Sequence, residues 1–326
     1  MGDSGDAGRK AVTDPLLRVE QLSKKISPQR GLSSAPVPQA AHPLAGVSFD
    51  LNAGEIVALV GESGAGKTAL ARALAMLARP DSGKVIFEGR DLVKQSENAL
   101  RPIRRRLQVL FSDPRTALNP QSFVSEVMLE PLRVQGLGVP EEQNNAVRRA
   151  LREVGLNSLL LERRLTALSA GERQRVALAR LLTLHPALII CDDPARTLPA
   201  LAADQFFKLM LGLRQQHGTA FLWLVSDPQW AAKHADRLGV LCEGRLVEMG
   251  TTPDVIASPR HPYSRQWFAG TPTPAPASDP RHRGCYFHSR CLEALPVCRE
   301  RVPEMFAASA TQTAVCFLYS GASPES

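Results

Sequence analysis

No run of 18 or more apolar residues occurs in the 326-residue sequence, so no membrane-spanning helix is expected. Nor does a basic stretch followed by an apolar one open the chain. Met1-Gly2-Asp3-Ser4-Gly5-Asp6 is small and acidic, and the expectation is a cytosolic protein. Internal repeats are absent. Closely spaced Cys-x2–4-Cys pairs, the usual mark of a zinc site, are also missing. What remains is a chain that is 44% hydrophobic, which suits a globular core, and long enough for one large domain with an appendage or for two modest ones. The net charge of +7 is moderate. Arginine clusters at Arg101, Arg104–Arg106 and Arg148–Arg149 suit an anionic membrane face, nucleic acid, or a solvated helix face. The last is the simplest reading of runs this short.

One segment carries more chemistry than any other: Gly61-Glu62-Ser63-Gly64-Ala65-Gly66-Lys67-Thr68. It fills every fixed position of a P-loop. Apolar Ile56–Val60 before it reads as a buried strand, and Ala69–Ala75 after it as a helix. Glycines let backbone N–H groups wrap a phosphate, and the helix N-terminus adds a favourable dipole. Lys67 is placed to reach β- and γ-phosphates and Thr68 to ligate magnesium. A glycine turn that binds nothing is the bland alternative. Downstream, Leu188-Ile189-Ile190-Cys191-Asp192-Asp193 is an apolar strand ending in two acids, of which the first suits magnesium and the second an attacking water.

Strands are expected over Leu16–Leu22, Val47–Leu51, Lys84–Phe87, Gln108–Phe111, Ala187–Cys191, Thr219–Val225 and Leu238–Leu241. The pattern is helical from Pro114 to about Leu165, with an amphipathic helix over Glu142–Val154. A further helix starts at Ser169, a capping-box residue paired with Glu172, and runs to Leu182. Alternation of strands and helices predicts an α/β fold with a mainly parallel sheet. Residues 1–13 read as disordered, 27–43 as a loop, and the Pro-rich run from Thr271 as a semi-rigid linker. The organisation expected is residues 14–262 as a nucleotide-binding domain, with a helical subdomain over about 114–168. Residues 263–326 form a linker and a cysteine-bearing extension.

Between the two phosphate-site motifs lies Leu168-Ser169-Ala170-Gly171-Glu172-Arg173-Gln174. Order and spacing together resemble the ATP-binding subunit of an ABC transporter, where this segment is the signature motif. The resemblance covers about residues 15–320. Phe111-Ser112-Asp113-Pro114, Leu118-Asn119-Pro120, Gly244–Gly250, His261-Pro262-Tyr263 and Gly284–Cys291 resemble the oligopeptide, dipeptide and nickel importer branch in particular. The resemblance implies a P-loop sheet core with an N-terminal antiparallel β subdomain. It also implies ATP and magnesium as ligands, and two such chains meeting head to tail. Each P-loop would then face the partner's Ser169 and Gly171. Two permease subunits, and indirectly a solute-binding protein, are the implied partners, at the cytoplasmic face of the membrane. Nucleic acid is not expected. The alternative is an accessory or soluble ABC-type protein with no permease.

Several positions depart from the family pattern, and most belong to one site. The family's glutamine before the helical subdomain falls on Ser112, its catalytic glutamate on Asp193, and its switch histidine on Ser226. The aspartate that usually follows the acidic strand end falls on Pro199. The aromatic that stacks on adenine would lie near Lys25–Ile26, and neither residue is aromatic. These changes imply an ABC-type ATPase whose own site binds nucleotide and hydrolyses it weakly or not at all, paired with a second, competent ATPase chain.

Cys191 and Cys242 end apolar runs and read as buried thiols. Cys285, Cys291, Cys298 and Cys316 form a Cys-x5-Cys-x6-Cys-x17-Cys tail. Four thiolates suit an iron–sulfur cluster or zinc, and the wide spacing leans to iron. The family resemblance implies a four-iron cluster in some members. Four thiols packing a small lobe with Phe287, Leu292 and Phe317 is the metal-free alternative.

Overall fold

The computed structural model describes residues 14–25, 44–114, 118–270 and 284–321, which form two sheets and the helices around them. The segments 1–13 and 27–43, Ile26, and the Pro-rich run from Thr271 lie outside the described residues. The chain runs through strands β1 (Leu17–Lys24), β2 (Leu44–Leu51) and β3 (Ile56–Val60), then helix α1 (Lys67–Leu74). Next come β4 (Ser82–Phe87), β5 (Arg90–Asp91), α2 (Glu97–Arg106) and β6 (Leu107–Phe111). Helices α3 (Val124–Val134), α4 (Pro140–Glu153) and α5 (Ala170–Leu182) follow. After them come β7 (Leu188–Asp192), α6 (Ala200–His217), β8 (Ala220–Val225), α7 (Pro228–His234), β9 (Arg237–Cys242) and β10 (Arg245–Thr251). Short helices α8 (Thr252–Ala257) and α9 (Pro262–Phe268) and short strands β11 (Phe306–Ala307) and β12 (Gln312–Ala314) complete the order.

β3, β7 and β8 are buried at every position. Helices cover both faces of a parallel sheet, so its central strands read as unbroken apolar runs rather than alternating ones. The larger sheet has the order β11-β12-β10-β9-β3-β8-β7-β6. From β9 to β6 the pairs are parallel, and from β9 to β11 antiparallel. The smaller sheet, β2-β1-β4-β5, is antiparallel. There β1 buries Leu17, Val19 and Leu22 and leaves Arg18 and Gln21 exposed, the pattern of a sheet with one solvated face. The expected α/β fold, a mainly parallel core with an antiparallel N-terminal sheet and a helical region, is the one observed.

The antiparallel edge is partly built from the tail. Residues Gln312–Ala314 pair with β10, with Glu248 opposite Ala314, so the cysteine extension is stitched into the core sheet. Helices α3, α4 and α5 pack through Val124, Met128, Leu132, Leu151, Val176 and Leu178 in one core with the sheet. Among the described residues no helix is long and apolar enough to cross a membrane.

Sheet register positions the site. Val60 lies opposite Val225, Leu224 opposite Asp192, and Asp192 opposite Phe111. The carboxyl ends of β3, β8, β7 and β6 are therefore level, and the next residues along each strand emerge at one sheet edge: Gly61, Ser226, Asp193 and Ser112. A crevice outside the carboxyl ends of parallel strands is where open α/β sheets place their ligands.

Candidate functional site

The loop between β3 and α1 is shaped by close backbone approach. A Cβ on Gly61 would sit 2.4 Å from the Leu241 carbonyl oxygen, so only glycine lets the loop lie this near β9. Gly66 caps α1 at φ 103°, a left-handed value that glycine adopts without strain. No side chain caps the N-terminus of α1, so its first N–H groups face the cleft without a side-chain acceptor. Backbone donors and a helix dipole converging on one point are what a phosphate needs.

Lys67 is 6% exposed, and its Nζ donates to the carbonyl oxygens of Gly61 at 2.7 Å and Glu62 at 2.9 Å. Burial pulls its pKa below the ordinary lysine value, while Asp193 and Asp192 oppose that shift. Asp192, at the end of β7, is 4% exposed, and burial holds its carboxyl above the usual carboxylate range. The Thr68 hydroxyl donates to Asp192 Oδ1 at 3.0 Å. An oxygen-only pair beside a phosphate cradle is the donor set magnesium takes. The residues present thus fit both a nucleoside triphosphate and magnesium.

These groups line a cleft of about 230 Å³ together with Ser112, Asp193 and Ser226. Asp193 adopts φ 49°, held by its N–H donating to the Leu224 carbonyl at 2.8 Å. Aspartate tolerates the left-handed region better than most residues, but the conformation is still a local strain of the kind that gathers at sites. Its carboxylate is engaged from within the chain. The Ser226 hydroxyl donates to Asp193 Oδ2 at 2.6 Å. The positions expected to carry a catalytic base and its switch residue are therefore bonded to each other.

Not every residue expected at the site lines it. Pro199 is the N-cap of α6 and offers no side-chain hydrogen bond; it stands outside the cleft lining because the turn after Asp193 carries the chain away from the sheet edge. Ser169 and Gly171 also lie apart, at the N-terminus of α5. There the expected capping box is present: Ser169 Oγ accepts from the Glu172 N–H at 3.2 Å, and the Glu172 carboxylate accepts from the Ser169 N–H at 2.8 Å. A Cβ on Gly171 would meet nothing within 4 Å beyond its own helix. Arg196 does line the cleft, although sequence reasoning passed over it. A cation three residues past the acidic strand end was the available signal, and the turn that makes it face the loop is set by the Arg196 N–H bonding the Asp193 carbonyl at 3.1 Å.

The cysteines divide as expected in one respect only. Cys191 and Cys242 are buried, and burial pushes both thiols well above their ordinary pKa. Among the described residues no group of three or more His, Cys, Asp or Glu side chains is disposed to hold a metal ion. The iron–sulfur cluster or zinc expected at Cys285, Cys291, Cys298 and Cys316 is thus unsupported. The lobe is organised instead around Phe287, 3% exposed, and a backbone bond from the Cys285 N–H to the Cys298 carbonyl at 2.8 Å. Burial raises the thiols of Cys285 and Cys291, and that of Cys316 to about 11, all favouring the neutral form.

Comparison with known proteins agrees with this architecture. A family model described as ABC transporter matches residues 44–196. The oligopeptide transport ATP-binding protein AppF of Bacillus subtilis is 32% identical over 95% of this chain and 99% of its own length. The di/tripeptide transport ATP-binding protein DppF of Pseudomonas aeruginosa is 34% identical over 90% of this chain and 94% of its own. Among solved structures, cbiO1 of Clostridium perfringens, part of an ABC transporter complex, superposes with a TM-score of 0.63 at 25% identity. That likeness covers 75% of this chain and 92% of cbiO1. With likeness extending over nearly the full length of both peptide-transport relatives, the chain belongs to the ATP-binding subunits of ABC transporters.

Proposed function

We propose that this chain is the ATP-binding subunit of a peptide importer, gripping Mg-ATP at the interface with a second ATPase chain and contributing little hydrolysis at its own loop. The observation that carries the reading is a complete phosphate cradle beside a carboxylate occupied by Ser226.

Loop N–H groups, the α1 N-terminus and Lys67 bind and orient the triphosphate. Thr68 and Asp192 are the residues that would hold magnesium, which when bound would neutralise phosphate charge. Asp193 is the residue in position to take a proton from water. It is one methylene shorter than the family's glutamate, and its Oδ2 already accepts from Ser226 at 2.6 Å. Ser226 supplies no imidazole at the switch position, and Ser112 is too short to span from β6 to a metal. A displacement of about 1 Å at a catalytic group costs on the order of a hundredfold in rate. These changes lower turnover while leaving the groups that bind nucleotide intact.

Ser169 and Gly171 stand away from this chain's own cleft and serve the partner's loop in the head-to-tail dimer. A heterodimer then has one weak site and one competent one. Beside Ser112, a hollow of about 190 Å³ lined by Pro114, Leu118, Pro120, Leu165, Thr166 and Arg173 gives a permease helix a place to dock. The protein is peripheral on the cytoplasmic membrane face. The names of the relatives speak for peptides rather than nickel as the solute, and for a permease-coupled subunit rather than an accessory protein. Co-expression with a second ATPase chain that carries glutamate and histidine at the two positions, and with two permeases, tests this. Peptide uptake should require both ATPase chains, with turnover surviving loss of Asp193 here. Uptake that needs no second ATPase chain would count against it.

A further inference from the structure

Arg196 lies just past the end of β7 and lines the nucleotide cleft with Lys67, Thr68, Asp193 and Ser226. Its backbone is held by two successive turns. The Arg196 N–H donates to the Asp193 carbonyl at 3.1 Å, and the Leu198 N–H to the Ala195 carbonyl at 3.0 Å. The residue is exposed, and among the described residues its side chain makes no hydrogen bond or ion pair. The two acids of the cleft are bonded elsewhere: Asp192 accepts from Thr68 at 3.0 Å, and Asp193 Oδ2 from Ser226 at 2.6 Å. Beside Arg196 the cleft opens into a hollow of about 440 Å³ that shares Ser63, Asp193, Arg196 and Ser226 with it, so the guanidinium has room to reorient.

Lys67 and Arg196 are the two cationic residues lining the cleft. Lys67 is spent on the loop, where its Nζ bonds the Gly61 and Glu62 carbonyls. The Arg196 charge is spent on no group of the chain, although it is near enough to add to the lowering of the Lys67 pKa. Ser226 brings no cation from the end of β8. A guanidinium is a planar fork that meets phosphate oxygens with two parallel bonds. In P-loop enzymes an arginine supplied in cis is one way to stabilise charge on the terminal phosphoryl group. Arg196 enters the cleft beside Asp193, the acid placed for the attacking water, and that is the end where the terminal phosphate belongs.

We infer that Arg196 is a specificity-determining residue of the nucleotide site, its guanidinium binding the terminal phosphate so that this chain holds ATP in preference to ADP. The inference rests on the reading of the loop as an ATP site, and the variants separate the two. A charge-assisted bond to the terminal phosphate sets an expected ATP preference of about tenfold.

The measurement is displacement of a fluorescent nucleotide from the full chain by Mg-ATP and, separately, by Mg-ADP. Because the Arg196 side chain is exposed and unbonded, its substitution leaves folding intact. Arg196→Ala is expected to weaken Mg-ATP about tenfold and Mg-ADP by about twofold or less. Arg196→Lys keeps the charge and loses the fork, and is expected to weaken Mg-ATP by about threefold. Equal losses for the two nucleotides in Arg196→Ala, or no loss for either, overturn the inference. Lys67→Ala weakens both nucleotides if the loop is the ATP site. Wild-type binding that is absent, or unchanged in Lys67→Ala, rejects that site itself.

Discussion

Lys67 is a buried cation whose charge is met by two loop carbonyls and by the Asp193, Asp192 and Glu62 carboxylates, with Arg196 opposing them. Such a group is poised for an anionic ligand, because a triphosphate supplies what the loop does not. Lys67→Ala should lower Mg-ATP affinity by at least tenfold in a titration of the isolated chain, with folding retained. Asp193 and Ser226 give the opposite prediction. Separating them by Ser226→His, and lengthening the acid by Asp193→Glu, should raise phosphate release together by tenfold or more, with each single change doing less. The hydroxyl–carboxylate bond at 2.6 Å makes the pair act as a unit, so their effects should not add. The P-loop and the acidic strand end were legible from residue spacing, and the two departures only against the pattern of the family the chain resembles. Their bond to each other was not, because it depends on β7 and β8 being neighbours in register. Arg196 escaped for a similar reason: it sits in no motif whose chemistry is local.

At the scale of elements, the capping box at α5 was readable because its partners are three residues apart. Ser169→Ala should destabilise the chain by about 1 kcal/mol, seen as a drop of a few degrees in thermal unfolding. Strand β10 was harder. Its sequence contains Arg245, Glu248 and Gly250, and it is held by pairing with β9 on one side and β12 on the other. No local pattern announces a strand whose partner lies more than 60 residues away, as Glu248 and Ala314 do. Helix α6 likewise lacks a side-chain cap at Pro199 and forms because Phe206, Phe207, Met210 and Leu213 find the core. His261 links this scale to pH. Burial, helped by the nearby Arg265 charge, lowers its pKa from 6.5 to about 3. The folded chain therefore binds fewer protons than the unfolded chain between those values, and stability falls as pH drops below about 6.5. The loss is up to about 1.4 kcal/mol per pH unit. Melting temperatures measured from pH 7.5 to 5 should show that fall, and it should be shallower in His261→Gln.

For the whole molecule, the parallel sheet brings four carboxyl strand ends level, and the tail is sewn onto the sheet's antiparallel side through β12. The lobe is thus part of the nucleotide-binding body. The cysteine spacing suggested an appended metal centre or a metal-free packed lobe, and among the described residues no group disposed to hold a metal ion supports the first. We propose that this loop holds ATP without efficiently splitting it. Purified alone, the chain should bind Mg-ATP in a Lys67-dependent manner and release phosphate at no more than about a hundredth of the rate restored by Asp193→Glu with Ser226→His. Robust phosphate release by the unaltered chain, abolished by Lys67→Ala, would contradict it.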